Sequence, residues 1–220
     1  MKDIWYGDKR DLVKWGVLLT LSKEFSAKRI LQVAYYKKEE FEQLEIDGSK
    51  YSIPEEVKNH FRNMLNIRNM PNTIPIDVFT DEFGKVKRDP YYKNVIHNIT
   101  SGIHPCRVFL DPDTGIVPAS GDYKDKKDKH VLEDELKTIW DKLTNDDILT
   151  CYQHRTNRNS NKDWTMEKKD QFERALSLAA GSSKLAQGSK TAGDMVIFLT
   201  ARKYTTLVNN RVIASGENLL

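Results

Sequence analysis

Cys106-Arg107-Val108-Phe109-Leu110-Asp111-Pro112-Asp113-Thr114-Gly115 carries the chain's strongest sign of a parallel sheet. A short apolar run stops at two aspartates that flank a proline, and a glycine follows. Strands buried on both faces read as near-continuous apolar runs, and they belong to parallel sheets. Ligands of such sheets bind beyond the carboxyl ends of the strands. A second run, Ile148-Leu149-Thr150-Cys151-Tyr152, ends the same way, in Gln153-His154-Arg155. Two strand ends that deliver titratable groups to one edge predict a site there.

Working outward, helical and strand patterns alternate. Leu12, Val13, Trp15, Val17, Leu18, Leu19 and Leu21 mark a helix over 11–25 with Asp8 as its N-cap. Residues 30–35 read as the first core strand. Asp47-Gly48 predicts a turn into a small β element at 51–54, and Pro54-Glu55-Glu56 opens a second helix running to about residue 66. Residues 74–79 suit a strand that tolerates Pro75 only at an edge or at its start. Further helices are predicted over 89–101, 130–143 and 164–180. A small-residue loop follows at 182–193, then a last buried strand at 195–200 and a hairpin at Asn209-Asn210. This order predicts a single α/β domain over 1–220, a Rossmann-like three-layer sandwich with a mainly parallel central sheet. Residues 117–129, dense in Asp and Lys, read as a mobile solvated loop placed to act as a lid.

Bulk composition sets broad bounds. The 220 residues carry 39% hydrophobic and 30% charged side chains, enough for one continuous core under a wet surface. A net charge of +3 neither demands nor excludes nucleic acid. The two cysteines, Cys106 and Cys151, fall in core strands and read as reduced, buried thiols. No Cys/His spacing suits a metal. Met1-Lys2-Asp3-Ile4-Trp5 is no signal peptide and no apolar run suits a membrane span, so the expected location is cytosolic.

Several residues could carry chemistry. Asp111 and Asp113 stand two apart, so a simple strand sends both to one face, where they could orient an amine or hold Mg²⁺. A turn capped by an aspartate, with Gly115 at a special backbone angle, is the plainer alternative. His154 is the best acid/base candidate, because imidazole titrates near neutral pH. Asp8 and Lys14, in the charged cluster that opens the first helix, could contact a ligand, as could Gln32 and Tyr35 at the end of the first strand. Thr114, Tyr152, Gln153 and Arg155 complete the candidate set. Arg155, Arg158, Lys162, Trp164, Lys168 and Lys169 combine bases with an aromatic in a way that suits a phosphate backbone, although a charged helix face reads as well.

Taken together, Tyr6-Gly7-Asp8-Lys9-Arg10-Asp11-Leu12-Val13-Lys14-Trp15, Phe109-Leu110-Asp111-Pro112-Asp113-Thr114-Gly115, Lys129-His130 with Glu135-Leu136, and Tyr152-Gln153-His154 resemble a set of strings found in one group. That group comprises largely uncharacterised bacterial and phage proteins with an Asp-Pro-Asp-Asn/Thr-Gly signature. More distantly, the layout is similar to Rossmann-like methyltransferases, in which an Asp-Pro-Pro-Tyr-like turn after the fourth strand holds the target amine. The resemblance implies a methyltransferase-like enzyme acting on an amino group in nucleic acid, with S-adenosylmethionine as cofactor. Asp111 and Asp113 would then orient the amine. One departure is plain: the first strand leaves through Val33-Ala34-Tyr35-Tyr36-Lys37, with no glycine, so the cofactor site would be atypical. Two other readings stay open. One is an Mg²⁺- or Mn²⁺-dependent nuclease or phosphoesterase using Asp111, Asp113 and His154. The other is a non-catalytic phage or defence protein that binds a nucleotide or a partner. Oligomeric state is not legible.

Overall fold

A computed structural model describes residues 3–37, 43–61, 63–71, 74–84, 88–118, 127–155, 163–188 and 190–202. After a 3-10 turn at Asp3–Trp5 come α1 (Lys9–Glu24), β1 (Arg29–Val33), the hairpin β2 (Leu44–Ile46) and β3 (Ser49–Tyr51), and α2 (Glu55–Phe61). Then follow β4 (Ile76–Phe79), α3 (Arg88–Thr100), β5 (Cys106–Leu110), the short β6 (Gly115–Ile116) and β7 (His130–Val131), and α4 (Glu133–Trp140). The described chain closes with β8 (Ile148–His154), α5 (Trp164–Ala175), β9 (Lys184–Gly188) and β10 (Ala192–Ala201).

Six strands form a mixed, mostly parallel sheet in the order β4-β1-β5-β8-β10-β9. The first four run parallel, while β10 is antiparallel to both β8 and β9. Pro75 therefore meets its edge-strand condition, since β4 closes one side of the sheet. Alternation along each strand sorts side chains into two cores. Leu31, Val33, Val108, Leu110, Leu149, Cys151, Val196 and Phe198 pack with α3, α4 and α5. Ile30, Phe109, Tyr152 and Ile197 pack on the other face with Trp15 and Leu18 of α1 and with Met64 and Ile67. Both faces are thus dry, which is why the strands read as unbroken apolar runs. Cys106 and Cys151 are free thiols in this interior. Among the described residues no helix is long and apolar enough to cross a membrane.

Some expected elements are corrected. The helix predicted over 130–143 begins only at Glu133, because His130–Val131 pairs in parallel with Gly115–Ile116. Glu135 then caps the start by accepting from Leu132 N at 2.7 Å, and it also takes a bidentate grip from Arg88. The loop expected at 182–193 contains β9 and the start of β10, so small residues there serve pairing; a Cβ on Gly188 would meet Val13. The helix predicted to 180 stops at Ala175, where Ser177 takes φ 60° and Glu173 accepts from Gly181 N and Ser183 N. The helix expected to run to about 66 stops at Phe61 and is followed by a 3-10 turn, Met64–Asn69, capped by Asn63. Lys168 is no surface base: it is buried and donates to Ile116 O, Val117 O and Gln171 Oε1. Arg158, Lys162, the 209–210 hairpin and most of the 117–129 loop lie outside the described residues.

His130 is 4% exposed, and its Nδ1 has no hydrogen-bond partner among the described residues. Burial, helped by nearby Lys168, lowers its pKa to about 4 from 6.5. Unfolding therefore takes up a proton between those values, and stability falls as the solution is acidified from pH 6.5 toward 4. Urea unfolding across this range should show His130→Gln losing less stability than wild type, by on the order of 1.4 kcal/mol per pH unit. Parallel pH profiles for the two proteins would refute the assignment.

Candidate functional site

Chain order along the sheet reverses between β1 and β5: β4 follows β1 to one side, and β5 returns to the other. A crevice opens beyond the carboxyl ends of strands at such a switch point. Here a cleft of about 350 Å³ lies over that edge, lined on one wall by Trp5, Asp8, Arg10, Asp11 and Lys14, and on the other by Asp111, Asp113, Thr114, Tyr152 and His154. Its size falls at the small end of ordinary ligand pockets, roughly 300–1,000 Å³.

Its floor is a buried ion cluster. Lys14 Nζ lies 2.9 Å from Asp111 Oδ1 and 3.2 Å from Asp11 Oδ1, and 4.3 Å above the Tyr152 ring. Gln32 Nε2 donates to Asp111 Oδ2 at 2.8 Å. Burial works to strip the proton from Lys14, but Asp111 and Asp11 outweigh it and hold the ammonium charged. Desolvation raises the Asp11 carboxyl above the ordinary aspartate range, against the pull of Lys14. The helix start follows from local sequence: Asp8 caps α1 by accepting from Arg10 N and Asp11 N, and Asp11 reaches back to Gly7 N at 2.9 Å. That backward reach needs the chain to turn at Gly7, whose φ is 81°.

A second polar group forms the rim. His154 Nε2 lies 3.3 Å from Asp194 Oδ2, and Arg10 grips the same carboxylate at 2.5 Å. The Arg10 hydrogen bond holds the Asp194 carboxyl at about 2, so the histidine faces a permanent anion. Beyond Asp111 the chain turns outward. Lys37 Nζ stands 3.8 Å from Asp113 Oδ2 and 2.7 Å from Asp128 Oδ2. The two aspartates therefore part company: Asp111 is sealed into the floor at 1% side-chain exposure, and Asp113 faces the opening at 20%. Both still line the one cleft, although the strand ends at Leu110 and they differ in depth.

Of the residues singled out from sequence, Asp8, Lys14, Asp111, Asp113, Thr114, Tyr152 and His154 line the cleft. Others take structural places instead. Tyr35 is buried among Phe83, Tyr91 and Tyr92, with its hydroxyl accepting from Tyr92, so it does not front the cleft. Gln32 stands behind Asp111; Arg155 is not among the residues lining the cleft, and its backbone amide donates to Asp194 O. Gln153 lies under the loop: its Oε1 accepts from Ile116 N, and its Nε2 donates to Thr114 O and His154 O. With Thr114 N donating to Lys129 O and His154 N to Thr114 O, these bonds fix the 111–116 segment. Asp194 was not signalled. An acid opening the apolar run at 195–200 mirrors an acid closing the run at 106–110, and that symmetry was the available clue.

Metal binding does not fit this donor set. Both oxygens of Asp111 are taken by Lys14 and Gln32, and among the described residues no group of three or more His, Cys, Asp or Glu could hold a metal ion. In comparisons with known proteins, no family model, curated protein or solved structure matched the chain.

Gly115 is the most constrained position of the loop. Its φ is 114°, and an added Cβ would sit 2.5 Å from Gln153 Cδ, so a side chain is refused by both backbone and neighbour. Gly115→Ala is expected to lower stability by roughly 1–3 kcal/mol and to displace Asp113 and Thr114. Thermal unfolding with amide exchange at 111–117 checks this; unchanged melting and protection would contradict it.

Proposed function

We propose that this chain is a methyltransferase-like enzyme acting on an amino group in nucleic acid, with its reaction centre in the cleft over β1, β5 and β8. The observation that carries the reading is the Asp-Pro-Asp-Thr turn at the sheet's switch point, with one aspartate locked and the other presented at the opening. The fold reading that accompanies it is a Rossmann-like three-layer sandwich, supported by apolar packing on both sheet faces. The nucleic-acid part rests on the family resemblance.

The residues fit an S-adenosylmethionine-type ligand chemically. Trp5, 56% exposed at the lip, offers a face for an adenine ring, while Asp8 suits its cationic groups and Lys129 its carboxylate. The missing glycine after β1 has a structural counterpart, because Tyr35 itself takes φ 49° and makes the tight turn while its ring is held in the core. When bound, such a ligand would supply an electrophilic methyl group for transfer to the amine. Asp113 accepts a hydrogen bond from the target amine and orients its lone pair. His154, held by Asp194, takes the proton that the amine sheds.

Calorimetry with S-adenosylmethionine and transfer of labelled methyl groups to DNA and RNA oligonucleotides test the reading. Saturable heat and transfer are expected, with His154→Ala slowing turnover by roughly 10²–10⁴-fold while binding persists. Absence of heat at high ligand concentration would overturn it. Binding without transfer would instead support the nucleotide-binding, non-catalytic reading.

A further inference from the structure

Three basic side chains in or beside the cleft each lie between two aspartates: Lys14 between Asp11 and Asp111, Arg10 between Asp8 and Asp194, and Lys37 between Asp113 and Asp128. The first two tie α1 to the sheet. Lys37 differs, because one of its two partners is the acid that faces the target amine. Its place follows from the strands. β1 and β5 run parallel with Val33 level with Leu110, and Asp111 N donates to Val33 O at 3.0 Å. Tyr35 then turns the chain at φ 49°, and Lys37 arrives beside the 111–115 segment. Thr114 N donates to Lys129 O, which ties the 127–129 turn to the same segment and brings Asp128 to Lys37 as well.

The two distances are unequal, and this bears on what the site accepts. Lys37 Nζ donates to Asp128 Oδ2 at 2.7 Å but stands 3.8 Å from Asp113 Oδ2, beyond hydrogen-bond length. It therefore offsets the charge of Asp113 without a hydrogen bond to that oxygen. A carboxylate by itself suits an alkylammonium, since its charge offsets the hydration the cation loses on entering. Any group hydrogen-bonded to Asp113 Oδ2 lies within about 7 Å of the Lys37 ammonium, inside the screening length of roughly 8 Å at physiological salt. A cation there meets like charge, whereas the neutral exocyclic amine of a nucleobase does not. We propose that Lys37 is a specificity-determining residue of this cleft: it suits Asp113 to neutral ring amines and turns away ammonium groups such as those of lysine side chains and polyamines. Lys37 has this role only if Asp113 accepts the target amine, the reading proposed above.

NMR titration of the labelled full chain, followed at the Thr114 and Gly115 amides, compares adenosine with 1-methyladenosine, whose ring carries a positive charge at neutral pH. Wild type should favour adenosine. Lys37→Met should raise the affinity for 1-methyladenosine about tenfold or more with little change for adenosine, and Lys37→Arg should keep the wild-type preference. Equal gains for both nucleosides would mean that Lys37 blocks the cleft without selecting, and an unchanged preference in Lys37→Met would mean that it takes no part; either result overturns the proposal. Adenosine that shifts neither amide in wild type would overturn the amine-site reading itself, and the role of Lys37 with it.

Discussion

A single ammonium group, Lys14 Nζ, wedged between Asp11 and Asp111, is the contact on which the edge of this sheet depends. An unpaired charge is too costly to bury, so Lys14 can occupy this interior only while α1 and β5 hold their mutual position. The same requirement places Asp8, Asp11 and Arg10 over the strand ends, since all three sit in the first turns of one helix. It also settles the division between the aspartates. Asp111 is consumed in fixing helix to sheet, and Asp113, beside Lys37, lines the cleft.

β5 grips α1 at its far end as well. Arg107, fully buried, donates from Nη2 to Leu21 O at 2.7 Å and from Nε to Ser22 Oγ at 3.1 Å. Leu21 O also accepts from Phe25 N at 3.0 Å, and the last turn of a helix carries its negative pole, so a cation is stabilised there. Burial still pulls the Arg107 pKa down to about 10, a sign of how dry the contact is. Arg107, Phe109 and Asp111 alternate along one strand and meet the helix through a cation, an aromatic edge against Trp15 and an anion. That pattern sets the register of α1 on the sheet, and the cleft follows from it.

Much of this was legible from local pattern. The helix stripe at Leu12–Leu21, the Asp8 cap and the apolar runs at 106–110 and 148–152 each announce their element through periodicity or composition. What stayed hidden depends on partners distant in sequence. His130–Val131 looks helical until Gly115–Ile116 pairs with it, and Lys184–Gly188 looks like a loop until β10 lies alongside. The same holds for the site. Tyr35 and Gln153 are polar residues at strand ends, as His154 is, yet their side chains turn inward, and only packing distinguishes them. Asp194 joins His154 through an antiparallel strand, a juxtaposition that no local motif encodes.

A cleft whose floor is an internally satisfied ion cluster can keep its acceptors aimed without a ligand, the preorganisation that group transfer requires. Its direct test is a double-mutant cycle of Lys14→Met and Asp111→Leu, followed by urea unfolding. Lys14→Met should cost roughly 3–5 kcal/mol by stranding the buried Asp111 carboxylate, and the double variant should lose less than the sum of the two single losses. Additive losses would contradict the account, because they would mean that helix and strand are held in place without this ion pair.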